Sequence, residues 1–151
     1  DMREAPSRVI IRALLQRGAQ LSVFDPVASA TAMSALAQDL ADLGDWPARV
    51  QVVSHEMQAI EGADALLVVT EWKNFHNPDF DALRERMRTP LILDGRNLYN
   101  PEALQEAGIA YQGIGRRNAL AQQLWRQHAQ PQANPVRALA PRPDSTASLS
   151  A

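Results

Sequence analysis

Leu91-Ile92-Leu93-Asp94-Gly95-Arg96-Asn97 is the stretch on which the reading of this chain turns. Three apolar residues after Pro90 predict a buried strand. Asp94-Gly95 ends it, because glycine tolerates the positive φ of a sharp exit. Arg96 then stands just past the carboxyl end of that strand. In an open parallel sheet, ligands bind in the crevice outside the strand carboxyl ends. A guanidinium there offers a planar fork of donors to phosphate, carboxylate or sugar oxygens. Two readings stay open for Arg96: a ligand contact, or an arginine that pairs with a neighbouring acid and positions a loop.

Working outward, strands and helices alternate. Ala65-Leu66-Leu67-Val68-Val69-Thr70 is the most apolar run in the chain and has the length of a strand. Its unbroken apolarity predicts burial on both faces, as in a parallel sheet. Gln20 to Phe24, Val50 to Val53 and Ile109 to Gln112 read as further strands. Pro6 suits a first helical position, and Gly18 a helix stop. Between them Val9, Ile10, Ala13 and Leu14 mark an apolar face, with Arg8 and Arg12 on a solvated one. Met33, Leu36, Leu40 and Leu43 recur at helical spacing. Asp45-Trp46-Pro47 reads as a loop, and Met57 with Ile60 as a short helix. Asp79 to Arg88 is a helix whose acids sit early and arginines late, matching the helix dipole. Asn100-Pro101 caps another helix, and Ala119 to Gln127 forms a last one. Strict alternation implies an α/β fold: a Rossmann-like, doubly wound parallel sheet with helices on both faces. From Ala129 onward Pro131, Pro135, Pro141 and Pro143 are mixed with Ala, Gln, Ser and Thr. The expected division is therefore a domain over residues 1–128 and a disordered Pro-rich tail over 129–151.

In a doubly wound sheet the first strand lies in the middle. The chain opens with the helix that should follow it and reads as the carboxyl-terminal piece of something longer. The strands at Leu21 and Leu66 are then expected to flank a central gap.

The composition removes whole classes of function. A net charge of -2 over 151 residues speaks against binding nucleic acid by phosphate neutralisation. There is no cysteine, hence no disulfide, thiolate metal site or cysteine nucleophile within these residues. His55, His76 and His128 lie too far apart for metal-ligand spacing, so no metal site is expected. No apolar run approaches a membrane span and no signal peptide opens the chain, which makes the cytoplasm the expected compartment.

Other candidates have two readings each. Asp25 ends a strand, as a ribose-binding acid does, but no glycine-rich turn precedes it, so a strand-ending turn is favoured. Gly113-Ile114-Gly115 lacks a third glycine and reads as a turn rather than a phosphate cradle. Arg3 precedes a helix start, a favourable place for anions, or is a surface arginine paired with Glu4 or Asp1. Glu71 and Trp72 follow the strand at Leu66; the tryptophan either stacks on a ring or packs under a loop.

Taken together, several short motifs make a resemblance. Asp1-Met2-Arg3-Glu4-Ala5-Pro6, Phe24-Asp25-Pro26, Ala63-Asp64-Ala65, Thr70-Glu71-Trp72 with Phe75, Asp94-Gly95-Arg96-Asn97 and Tyr111 with Gly113-Ile114-Gly115-Arg116 stand in order. Over residues 1 to about 117 the chain resembles the UDP-binding carboxyl-terminal domain of the UDP-glucose/GDP-mannose dehydrogenase family. The T-E-W and D-G-R-N forms incline to its UDP-glucose branch. The resemblance implies an NAD-dependent oxidation of the sugar C6 hydroxyl of a UDP-sugar substrate, in a homo-oligomer. It implies that Arg96 contacts the substrate and Arg3 approaches the NAD across a cleft. The family's nucleophilic cysteine, catalytic lysine and glycine-rich NAD fingerprint have no counterpart in these residues, so this chain by itself is expected to be inactive. A UDP-N-acetylhexosamine or GDP-mannose enzyme, or a stand-alone nucleotide-binding module, are the other readings.

Overall fold

A computed structural model describes residues 6–27, 29–71, 73–129 and 146–150. Its helices are α1 (Pro6–Gln16), α2 (Ser29–Asp39), α3 (Trp46–Arg49), α4 (Glu56–Ala59), α5 (Phe80–Arg86), α6 (Pro101–Glu106) and α7 (Ala119–Ala129). The strands are β1 (Gln20–Phe24), β2 (Val50–Val52), β3 (Ala65–Val68), β4 (Leu91–Asp94), β5 (Ala110–Gly113) and β6 (Thr146–Ser150). Local chemistry starts the two helices that flank β4. Asp79 accepts from Ala82 N at 3.0 Å ahead of α5, and Asn100 accepts from Ala103 N at 2.9 Å ahead of α6.

All six strands are parallel, in the order β2-β1-β6-β3-β4-β5. This is the Rossmann-like, doubly wound architecture expected from the alternation of elements. Leu66, Val68, Ile92 and Tyr111 look to one face, over α4, α5 and α6. Leu21, Val23, Val50 and Leu149 look to the other, over α1, α2 and α3. Two-sided cover explains the uninterrupted apolarity of β3.

Five expectations are corrected. The central position holds β6, paired with β1 on one side and β3 on the other, so no gap separates the strands at Leu21 and Leu66. Disorder from Ala129 onward accordingly fails at both ends: α7 includes Ala129, and residues 146–150 form the middle of the sheet. Residues 130–145 lie outside those described. The physical reason is that two facing strand edges and an apolar pocket for Leu149 stabilise even a small-residue strand. On α1 the buried positions are Ser7, Ile11 and Leu15, while Val9 is 73% exposed. Trp46, expected in a loop, opens α3 and is buried against Leu36 and Leu40. Arg8 and Arg12 are not a free solvated face: they pair with Asp39 and Asp42 and tie α1 to α2.

Candidate functional site

The carboxyl ends of β3, β4 and β5 carry the densest polar network. Its hub is Asp94, the last residue of β4 and only 2% exposed. Its Oδ1 accepts the backbone N–H of Arg96 at 2.9 Å. Its Oδ2 accepts those of Leu98 at 2.6 Å and Tyr99 at 3.2 Å, and the Tyr111 hydroxyl at 2.8 Å. A carboxylate that accepts three backbone N–H groups of the loop that follows it fixes that loop. The positive φ predicted for the strand exit falls at Asn97, at 54°, and not at Gly95. Gly95 is needed for closeness instead: its N–H donates to Val68 O at 2.8 Å, and a Cβ there would stand 3.2 Å from that oxygen.

Asn97 locks this loop to the next. Its Oδ1 accepts from Ile114 N at 2.8 Å and its Nδ2 donates to Ile114 O at 3.1 Å. Arg116 returns the contact, donating to the carbonyls of Asn97 at 2.9 Å and Tyr99 at 2.6 Å. Its guanidinium also lies 5.9 Å from the centroid of the Tyr111 ring. Gly113 sits where the two loops meet; a Cβ would lie 2.5 Å from Asn97 Oδ1 and 2.7 Å from the Tyr111 hydroxyl. Burial, reinforced by the bond to Asp94, pushes the Tyr111 phenol up to about 12, against the opposing pull of Arg116. Burial and the Asp94 charge raise Tyr99 in the same sense.

Arg96 is presented by this scaffold. Its backbone is held by Asp94, while its side chain is half exposed and donates to Glu71 Oε2 at 3.1 Å. Glu71, just past β3, is exposed as well. The structure therefore brings together Arg96 and Glu71 from the sequence-derived candidates. Asp25 stays apart, across β6, where its Oδ1 accepts from Val27 N at 2.8 Å as a strand-ending turn. Gly113-Ile114-Gly115 is a turn closed by Asn97. Arg3 and Trp72 lie outside the described residues. Sequence reasoning assigned no role to Asp94, Asn97, Tyr111 or Arg116. The available signal was an Asp before Gly at a strand end, where side-chain-to-backbone turns are common.

In the Gly113–Gly115 turn a Cβ at Gly113 would meet Asn97 and Tyr111, whereas one at Gly115 would meet nothing within 4 Å. Among the described residues no group of His, Cys, Asp and Glu is placed to hold a metal ion, and no helix is long and apolar enough to cross a membrane.

The sequence model described as the UDP-glucose/GDP-mannose dehydrogenase family, UDP binding domain, matches residues 1–101. A UDP-glucose 6-dehydrogenase of Pseudomonas aeruginosa is 48% identical over 79% of this chain and 25% of that protein. The UDP-glucose 6-dehydrogenase YwqF of Bacillus subtilis is 34% identical over 78% of this chain and 24% of its own length. That of Rhizobium meliloti is 32% identical over 77% and 24%. The chain thus spans about a quarter of the length of the curated relatives it matches.

Proposed function

We propose, given that this chain belongs to the UDP-glucose/GDP-mannose dehydrogenase family, that it binds the UDP moiety of UDP-glucose as the carboxyl-terminal part of a UDP-glucose 6-dehydrogenase. The observation that carries this is the presentation of Arg96. Its backbone is anchored by a buried carboxylate, and its guanidinium is engaged by the exposed Glu71. An exposed ion pair of that kind contributes little and is readily exchanged. A diphosphate brings more charge and two oxygens in the geometry of the guanidinium fork, so it competes well with one carboxylate. Asp94, Asn97 and Arg116 hold the loop in place beforehand, which lowers the ordering cost of binding.

In this reading the whole enzyme oxidises the C6 hydroxyl to a carboxylate, with NAD receiving the hydrides. The chain has no cysteine to act as nucleophile. Its share is substrate binding and orientation, with Arg3 approaching the cofactor across the cleft. By itself the chain forms no NADH from UDP-glucose and NAD. The reading includes a homo-oligomer working in the cytoplasm.

Two measurements test the reading. Calorimetric titration of the chain should show binding of UDP and UDP-glucose, and Arg96→Ala should weaken it roughly ten- to a hundred-fold, as expected for loss of a charge-assisted contact. Arg96→Lys should recover little, since lysine lacks the planar fork. Unchanged binding by Arg96→Ala would leave Arg96 as a loop-positioning residue. Turnover of the full-length enzyme against UDP-glucose, UDP-N-acetylhexosamine and GDP-mannose then decides the sugar; preference for either of the latter two rejects the assignment.

A further inference from the structure

The ion pair between Arg96 and Glu71 leaves much of both groups unused. The two side chains come from neighbouring parallel strands whose ends are tied together. Val68 of β3 stands in register with Asp94 of β4, and Val68 O accepts the N–H of Gly95 at 2.8 Å. Glu71 follows Val68 by three residues and Arg96 follows Asp94 by two. Their single contact runs from Arg96 Nη2 to Glu71 Oε2 at 3.1 Å. The side chains are 49% and 55% exposed, so a ligand in solvent can reach either. Among the described residues neither side chain has another partner. A guanidinium carries a fork of N–H donors, and an ionised carboxylate accepts on both oxygens. One bond between them satisfies only part of each.

A phosphate alone is an incomplete ligand for such a pair. On taking the guanidinium fork it comes to lie beside the Glu71 carboxylate, and like charges at close range repel. Glu71 also loses its bond to Arg96 and gains nothing. An ionised carboxylate accepts and does not donate, so only a donor satisfies it. Hydroxyls carried on the same molecule as the phosphate supply that donor, and an O–H bonded to a carboxylate is among the stronger hydrogen bonds. Sugar rings esterified to a diphosphate hold hydroxyls within a few bonds of phosphorus.

We propose that Glu71 is a specificity-determining residue of the Arg96 site, accepting hydrogen bonds from hydroxyls of the sugar ring next to the phosphate that Arg96 binds. The ion pair is the ligand-free state, in which each group satisfies the other. On binding, the phosphate replaces Glu71 at the guanidinium, and the ring hydroxyls replace Arg96 at the carboxylate. Both groups stay hydrogen-bonded through the exchange. Ligands that carry the anion and the hydroxyls together are favoured over an anion alone. The pentose and the hexose of a nucleotide sugar both carry such hydroxyls, and the test separates them. The proposal rests on the nucleotide-binding reading of Arg96 and extends it to the sugar.

Calorimetric titrations of the full chain, with divalent cations chelated, compare inorganic pyrophosphate, a UDP analogue lacking both ribose hydroxyls, UDP and UDP-glucose. Glu71→Ala should bind pyrophosphate roughly two- to fivefold tighter, because an exposed competing carboxylate is gone. The same variant should lose at least about tenfold of the preference for a hydroxyl-bearing probe over pyrophosphate, because the acceptor of those hydroxyls is gone too. A loss seen in UDP against its hydroxyl-free analogue assigns the hydroxyls to the pentose. A loss seen only in UDP-glucose against UDP assigns them to the hexose. Glu71→Gln keeps an acceptor oxygen without the charge and should retain part of the preference. Equal tightening of every probe by Glu71→Ala would make Glu71 a competitor for Arg96 and nothing more. Equal weakening would make it a support of the loop. Either result overturns the proposal. The nucleotide-binding reading fails in a different way, with no binding of UDP by the parent chain, and that outcome removes the proposal with it.

Discussion

At the scale of single residues, Asp94 and Tyr111 decide the shape of the candidate site. Asp94 collects three backbone donors and one hydroxyl in a buried position. Tyr111 is fully buried and donates a hydrogen bond to that carboxylate. Ionising the phenol would set a second negative charge beside Asp94 out of water, so the folded protein raises its pKa to about 12 from 10.0. A pKa raised on folding contributes stability that is complete below pH 10 and is lost as pH climbs from 10 toward 12. Tyr111→Phe should therefore lose less stability over that interval than the parent, with Tyr99 supplying the remaining slope. At neutral pH the same variant should be less stable by about 1.5–3 kcal/mol, the scale of a hydrogen bond to a charged group. Denaturant melts between pH 8 and 12 measure both effects. Parallel decline of the two proteins above pH 10 would show that the phenol does not titrate as the geometry requires.

At the scale of elements, α1 shows how a pattern can leave a helix undetermined in phase. Val9-Ile10-Ile11 and Ala13-Leu14-Leu15 are consecutive apolar runs, so neighbouring helical faces fit them almost equally. Packing selected Ile11 and Leu15, and placed Arg8 and Arg12 against α2. Arg12 also donates to the Asp39 carbonyl at 2.7 Å. Hydrogen bonds from Arg8 and Arg12, against the opposing cost of desolvation, hold the Asp39 and Asp42 carboxyls below their ordinary range. Such groups contribute stability above about pH 4 that disappears as pH falls through the lowered values. The double variant Arg8→Gln/Arg12→Gln should melt below the parent at pH 7. The gap should narrow as pH drops below 4, and at high salt as the pairs are screened. A gap that persists at low pH would mean that packing of the two side chains, rather than charge, joins the helices.

At the scale of the whole molecule, β6 joins two half-sheets, β2-β1 and β3-β4-β5. Leu149 is its anchor in the core. Leu149→Ala should cost about 2–5 kcal/mol, as for other fully buried leucines, and so lower Tm by roughly 5–15 °C in a chain of this size. An unchanged melting temperature would place residues 146–150 outside the sheet. A tail in the middle of a sheet cannot be trimmed like one in solvent.

What the sequence determined by itself was local or periodic. The alternation of apolar runs and helical spacing established a doubly wound parallel sheet, because burial on two faces leaves unbroken apolar strands. Asp79 and Asn100 announced their helices, because a side-chain acceptor ahead of a helix start needs no distant partner. Asp94-Gly95-Arg96-Asn97 placed an arginine at a strand carboxyl end. The tertiary structure alone decided three things: the phase of α1, the closure of the loops around Asp94, and the occupant of the central slot. Each depends on contacts between residues far apart in the chain. Thr146-Ala147-Ser148-Leu149-Ser150 has little strand character of its own; it becomes a strand because β1 and β3 present it with two unpaired backbone edges, and local propensity yields to such long-range pairing.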